Sequence, residues 1–211
     1  MDPTWGPEYE HLRRTRAYVA SLPQGLASYP ECRGKASIWK NIRRWTDTGQ
    51  LLGRVPPELT VFSSENLLVN TWMSAAESFA SHLALRDLLF ASDAAIVDHF
   101  RMVDRQLLSG PLYRMLFAVA TPLRVLHAAD RRFNAMFEGI TLVARQEDSR
   151  RVSLSLKYPP RLLPPLVGSL YLVAFEVAAE LAGGKAVKSR VISHGDTAAN
   201  YELTWDDADP A

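Results

Sequence analysis

Apolar residues along this chain recur at two different periods, and the change falls near Gly139. Before it, hydrophobic positions return every three or four residues, which gathers them on one side of an α-helix. The stretch PEYEHLRRTRAYVASL sets Tyr9, Leu12, Arg16 and Val19 at helical spacing and halts at Pro23. In GKASIWKNIRRWTDTG, Ile38, Trp39, Ile42 and Trp45 share a face, with Lys35, Lys40, Arg43 and Arg44 largely opposite; Gly49 ends it. VPPEL predicts a short helix or turn on its prolines. Residues 70–92 read as one long helix with Trp72, Ala76, Phe79, Leu83 and Leu88 in its apolar set. A Ser/Asp cap opens SDAAIVDHFRMVDRQLL, which turns Ile96, Val97, Phe100, Val103 and Leu107 inward. GPLYRMLFAVA follows, and Thr121 as cap with Pro122 in the first turn starts one more helix through LRVLHAADRRFNAMFEG.

Beyond Gly139 the period is two. ITLVARQ and RVSLSLKY alternate around the charged turn EDSRR, a hairpin signal, and LVGSLYLVAFEVAAELAGG is a helix closed by Gly183-Gly184. AVKSRVIS and ANYELTW alternate again about His194-Gly195-Asp196. Gly195 is expected to supply a positive φ there, and Asp196 to bond backbone amides two residues on. Tyr201, Leu203 and Trp205 fall on one face, expected to pack on the helix at 170–181. The predicted fold class is α+β: a helical N-terminal part followed by a β-β-α-β-β antiparallel sheet. Its organisation is a helical extension at 1–33, a single domain at 34–205 (helical part 34–138, sheet part 139–205) and an acidic tail at 206–211.

A length of 211 residues suffices for one sizeable core. A net charge of +1 provides no field to draw nucleic acid or anionic lipid, so neither partner is expected. The basic residues from Lys35 to Arg44 lie beside two tryptophans, but Trp39 and Trp45 group with Ile38 and Ile42 as core, which leaves a solvated basic face. The N-terminus lacks the basic-then-apolar order of a signal peptide, and Glu176 and Glu180 interrupt the most apolar run too early for a membrane span. A cytoplasmic protein is expected. The single cysteine, Cys32, excludes an internal disulfide and a multi-cysteine zinc site; Arg33 and Lys35 nearby could lower its pKa, but no histidine partner is identifiable.

The five histidines, His11, His82, His99, His127 and His194, never stand four apart, and neither HExxH nor GxSxG occurs. Without a nucleophile, base and orienter, no catalytic residue, metal site or cofactor is assigned, and an enzyme is disfavoured. His127 stands out among apolar neighbours in PLRVLHAADRRF, whereas His99, beside Asp98 and Asp104, is expected to face solvent.

The stretch HGDTAANYELTW resembles the closing hairpin of the four-vinyl reductase type of small-molecule-binding domain and its bacterial, including myxobacterial, relatives. Gly195-Asp196, Tyr201 and Trp205 match, while Ala199 stands where those hairpins carry a cysteine. From Gly34 to Trp205 the element order also resembles the distal part of heme nitric-oxide-binding domains. The resemblance implies a pocket between the helical part and the sheet, and a tendency to dimerise. The heme family's Tyr-x-Ser-x-Arg signature is absent: KYPPRL offers Tyr158 and Arg161 at another spacing and without the serine. Heme ligation is therefore not carried over to His127, and the missing cysteine removes any metal or thiol role.

The expected function is a non-catalytic small-molecule-binding or regulatory module that holds an apolar or aromatic ligand between helices and sheet. Its pocket would be lined by Phe100, Leu116, Phe117, His127, Phe133, Phe137, Tyr171 and Phe175. The same aromatics also make a dry core, the reading that the sequence by itself slightly favours. The alternative is a protein-interaction adaptor that docks a protein partner on an exposed helical face. A homodimer is expected because Trp72, Met73, Phe79, Leu83, Leu85, Leu88 and Leu89 occupy more than one face of the helix at 70–89.

Overall fold

The first helix, α1 (Arg13–Ser21), has no side-chain cap of its own. Its opening amides are met from outside: Asp87 Oδ2 accepts from Arg14 N (3.0 Å), Thr15 N (3.1 Å) and Thr15 Oγ1 (2.9 Å). A carboxylate there satisfies orphan donors and suits the helix dipole. A computed structural model describes residues 5–63, 68 and 70–206 of the protein. The first four residues and the acidic tail after Asp206 lie outside the described residues.

Three short strands, unforeseen from the sequence, tie the helical half together. β1 (Arg33–Lys35) precedes α2 (Ser37–Trp45), and β2 (Trp72–Ser74) takes the start of the helix expected from residue 70. Ser74 then caps α3 (Ala75–Leu89) by accepting from Glu77 N. Up to Leu85, α3 is buried on nearly every side: α1 packs on it from one direction, and the long C-terminal helix touches it from another. One chain thus covers Phe79, Leu83 and Leu85 of the apolar set that had suggested a second copy, while Trp72, Met73, Leu88 and Leu89 stay half-buried. Within α2, Trp39 is fully buried, but Trp45 is 37 % exposed beneath the Arg44 guanidinium, not in the core as its spacing suggested.

Ser92 caps α4 (Asp93–Leu108), and α5 (Pro111–Val119) follows. The single helix expected after Thr121 breaks at Ala128 (φ −83°, ψ −9°) into α6 (Pro122–His127) and α7 (Ala129–Met136). β3 (Phe137–Glu138) then completes an antiparallel sheet of order β2-β1-β3. At Gly139 φ is +70°, and a Cβ there would sit 2.5 Å from Cys32 Sγ, so only glycine fits.

The C-terminal part is the expected β-β-α-β-β run: β4 (Thr141–Asp148), β5 (Arg151–Lys157), α8 (Pro165–Leu181), β6 (Lys185–His194) and β7 (Ala198–Asp206). The sheet is antiparallel in the order β4-β5-β7-β6, and the α+β class holds. Ala199, Tyr201, Leu203 and Trp205 are buried along β7, with Tyr201 opposite Leu154 and Leu203 opposite Val152. Gly168 of α8 lies so close to the Tyr201 hydroxyl that a Cβ would come within 2.3 Å of it. The acidic residues of this apolar helix also have partners, because Arg101 and Arg105 of α4 pair with Glu176 and Glu180. No helix among the described residues is long and apolar enough to cross a membrane.

The hairpin turn works differently from expectation. Gly195 is not among the positive-φ residues, and the turn closes through Gly195 N donating to Ala198 O at 2.8 Å. Asp196 engages Arg161 instead of amides two residues on: its carbonyl accepts from Arg161 N, and its carboxylate lies 3.6 Å from the guanidinium.

Candidate functional site

The inward faces of α4, α5, α6, α7 and α8 do not close on one another. They leave a cavity of about 520 Å³, completed by α2, α3 and β3. Phe100 of α4, Leu116 and Phe117 of α5, Phe133 of α7, Phe137 of β3, and Tyr171 and Phe175 of α8 all line it. A space of this size lies within the range of small-molecule sites.

His127 does not line the cavity. It is exposed on α6, while Leu126 and Ala128 on either side face the space. Successive helical residues point about 100° apart, so a one-residue offset takes the imidazole to the other side. The site also lies among helices and not against the four-stranded sheet, none of whose strands contributes a lining residue; α8 stands between.

The structure adds two polar residues that sequence reasoning passed over. His82 of α3 is 2 % exposed, with its ring between Trp39 (4.7 Å between centroids) and Phe100 (5.6 Å). Its Nδ1 lies 2.7 Å from the Ser78 carbonyl oxygen, which can only accept, so the proton sits on Nδ1 and Nε2 keeps its lone pair. Burial pulls its pKa down to about 4, against the weaker pull of that bond. Asp104 of α4 stands four residues after Phe100 and three before Leu107, within the cavity-facing row. Burial raises its carboxyl to about 7, although Arg101 works to lower it. That row was the signal available for Asp104. For His82 it was the all-round apolar character of α3.

His99 is half-buried rather than solvent-facing. Its Nε2 lies 2.8 Å from Thr46 Oγ1, and burial lowers its pKa. Cys32 is buried, and burial, then Glu31, pushes its thiol up to about 11, the reverse of activation.

The neutral His82 sets a pH response. Its folded pKa lies below the unfolded value of 6.5, so the unfolded chain takes up the proton first. Its contribution is complete above pH 6.5 and is lost as pH falls toward 4, by up to about 3 kcal/mol. Asp104, raised from 3.8 to about 7, acts with opposite sign in much of this window. Comparing urea midpoints of the parent with His82→Phe isolates the histidine: the variant should lose less stability on acidification. Parallel losses would show that His82 is not held neutral.

The cavity has an exposed cover. α5 turns Tyr113, Leu116 and Phe117 toward it, yet leaves Met115 75 % and Val119 78 % exposed on the other side. Arg124 and Arg132 border the space from α6 and α7, both exposed, and the Arg132 guanidinium lies over the Tyr113 ring.

No protein-family model matches this chain, and no curated protein matches it. Solved structures do. One from a study of heme distortion in the H-NOX family aligns with a TM-score of 0.57 at 10% identity, over 83% of this chain and 95% of that one. An oxygen-binding H-NOX domain related to soluble guanylate cyclases, in its oxygen complex, gives 0.56 at 8% identity, over 82% and 93%. The unliganded Fe(II) H-NOX protein from K. algicida gives 0.53 at 14% identity, over 84% and 99%. The chain has the H-NOX fold. At these identities the likeness is one of fold, and it supports the heme nitric-oxide-binding side of the sequence resemblance, not the vinyl-reductase side.

Within this H-NOX fold, Tyr158 and Arg161 are turned to the last hairpin. Tyr158 Oη donates to Gly195 O at 2.8 Å, Arg161 pairs with Asp196, and neither lines the cavity.

Proposed function

We propose that this chain is a non-catalytic regulatory module whose cavity takes a small apolar or aromatic molecule. The observation that carries the reading is the space itself: about 520 Å³ left open among aromatic side chains drawn from four helices and a strand. α5 gives binding a way to be read, since one short helix meets the ligand with Leu116 and Phe117 and presents Met115 and Val119 outward. The adaptor alternative draws on that same outer face of α5.

The residues present do not fit a heme. His127 is outside the cavity, the Tyr158–Arg161 pair is committed to the hairpin, and Asp104 adds a carboxyl where an anionic porphyrin would have to sit. Among the cavity-lining residues His82 alone offers an imidazole nitrogen with a free lone pair, between two flanking rings. Hemin added to the protein should therefore give no histidine-dependent Soret band. A band abolished by His127→Ala or by His82→Ala would contradict this and make that histidine an iron ligand.

Binding itself is tested by titrating naphthalene, a neutral aromatic, while following tryptophan fluorescence. Saturable one-to-one binding that disappears when Ala174→Trp fills the cavity from α8 is the expected result. Unsaturable quenching in a folded protein would refute the reading and leave the adaptor alternative.

A further inference from the structure

Asp104 raises a question that the apolar lining does not answer. Among the described residues its carboxyl makes no hydrogen bond and no ion pair, although it borders a largely apolar space. Its electrostatic neighbour, Arg101, is already committed to Glu176 and Glu180. The other polar side chains bordering the space from the helices around it are Ser37 and Asn41 (α2), His82 (α3), Tyr113 (α5), Arg124 (α6), Arg132 (α7) and Tyr171 (α8). His82 spends its proton on Ser78. Tyr171 Oη is also buried without a hydrogen-bond partner, and Asp104 is the one carboxyl on this wall, half-buried and unpaired among the described residues. An unpartnered polar group in apolar surroundings costs stability and calls for a reason.

We infer that Asp104 is reserved for the ligand: the molecule this cavity takes carries an N–H donor, most simply a protonated amine, on an apolar frame, and that group meets the Asp104 carboxylate. The inference rests on the cavity being a ligand site. A donor arriving with the ligand would supply the missing partner and give a charge-assisted bond where water is scarce. Arg124 and Arg132 would favour the opposite, an anionic ligand, but they are exposed and solvated, so an anion gains little from them. The carboxyl on the cavity wall discriminates more strongly than the cations at its edge.

Three probes of one shape separate the possibilities at about pH 8, above the Asp104 titration: naphthalene, 1-naphthylmethylamine and 1-naphthoate. The amine should bind at least about tenfold more tightly than naphthalene, and the carboxylate most weakly. Asp104→Leu should abolish the amine's advantage, bringing it down to the level of naphthalene measured on the same variant. It should also raise the melting temperature of the ligand-free protein, which a carboxyl with a merely structural role would not allow. Naphthalene binding without an amine preference, a preference for the carboxylate, or an amine preference that survives Asp104→Leu would each overturn the inference while leaving the ligand site intact. Binding of none of the three would overturn the ligand site and, with it, this assignment.

Discussion

Leu85→Glu is expected to abolish folding. Leu85 is 0 % exposed on α3, at the end of the stretch from Ala75 that its own chain buries on nearly every side. The substitution removes a buried leucine, worth roughly 2–5 kcal/mol, and puts a carboxylate in its place at a cost of several kcal/mol more. A domain has only about 5–15 kcal/mol to lose. Circular dichroism and size-exclusion chromatography should show a largely unfolded or aggregated variant. A well-folded monomer from a dimeric parent would instead place Leu85 at an interface between copies and revive the association suggested by the sequence.

The second large effect is expected at Trp205. It is 4 % exposed near the end of β7, the strand flanked by β5 and β6, on the face that also buries Ala199, Tyr201 and Leu203. Trp205→Ala should cost about 3–5 kcal/mol, as truncation of a large buried aromatic does. Urea denaturation at fixed pH measures this. A loss below about 1 kcal/mol would mean that the strand end is frayed and the hairpin weakly held.

Both residues show which parts of the molecule were legible beforehand. Trp205 and its neighbours were readable because strands of seven residues or more repeat the period-two pattern often enough to be distinguished. The sheet of β1, β2 and β3 was not, because strands of two or three residues are too short to carry a period. The same brevity hid the true start of α3 at Ala75. Leu85 was read correctly as apolar on an extra face, but periodicity cannot tell which chain covers a face. That depended on how α1 and α8 fold back, a long-range matter.

The cavity followed a similar rule. Phe100, Phe133, Phe137, Tyr171 and Phe175 were legible as the apolar faces of successive elements, and the structure brings them to one space. His127 failed because, about 100° away from the inward-facing Leu126, it falls on the exposed side of α6. Asp104 was overlooked because local charge pairing with His99 offered a simpler account, while its place in the Phe100–Leu107 row went unweighed. Single polar residues on apolar faces are inconspicuous in a sequence for the very reason that makes them informative in a cavity.

The central claim is that the space among α4 to α8 is a real, ligand-accessible cavity and not a dry core. A crystal of the protein pressurised with xenon tests it most directly, since apolar cavities bind xenon. The account predicts strong anomalous density between Phe100, Phe133 and Phe175. Side chains packed through that volume, with no xenon among them, would contradict it.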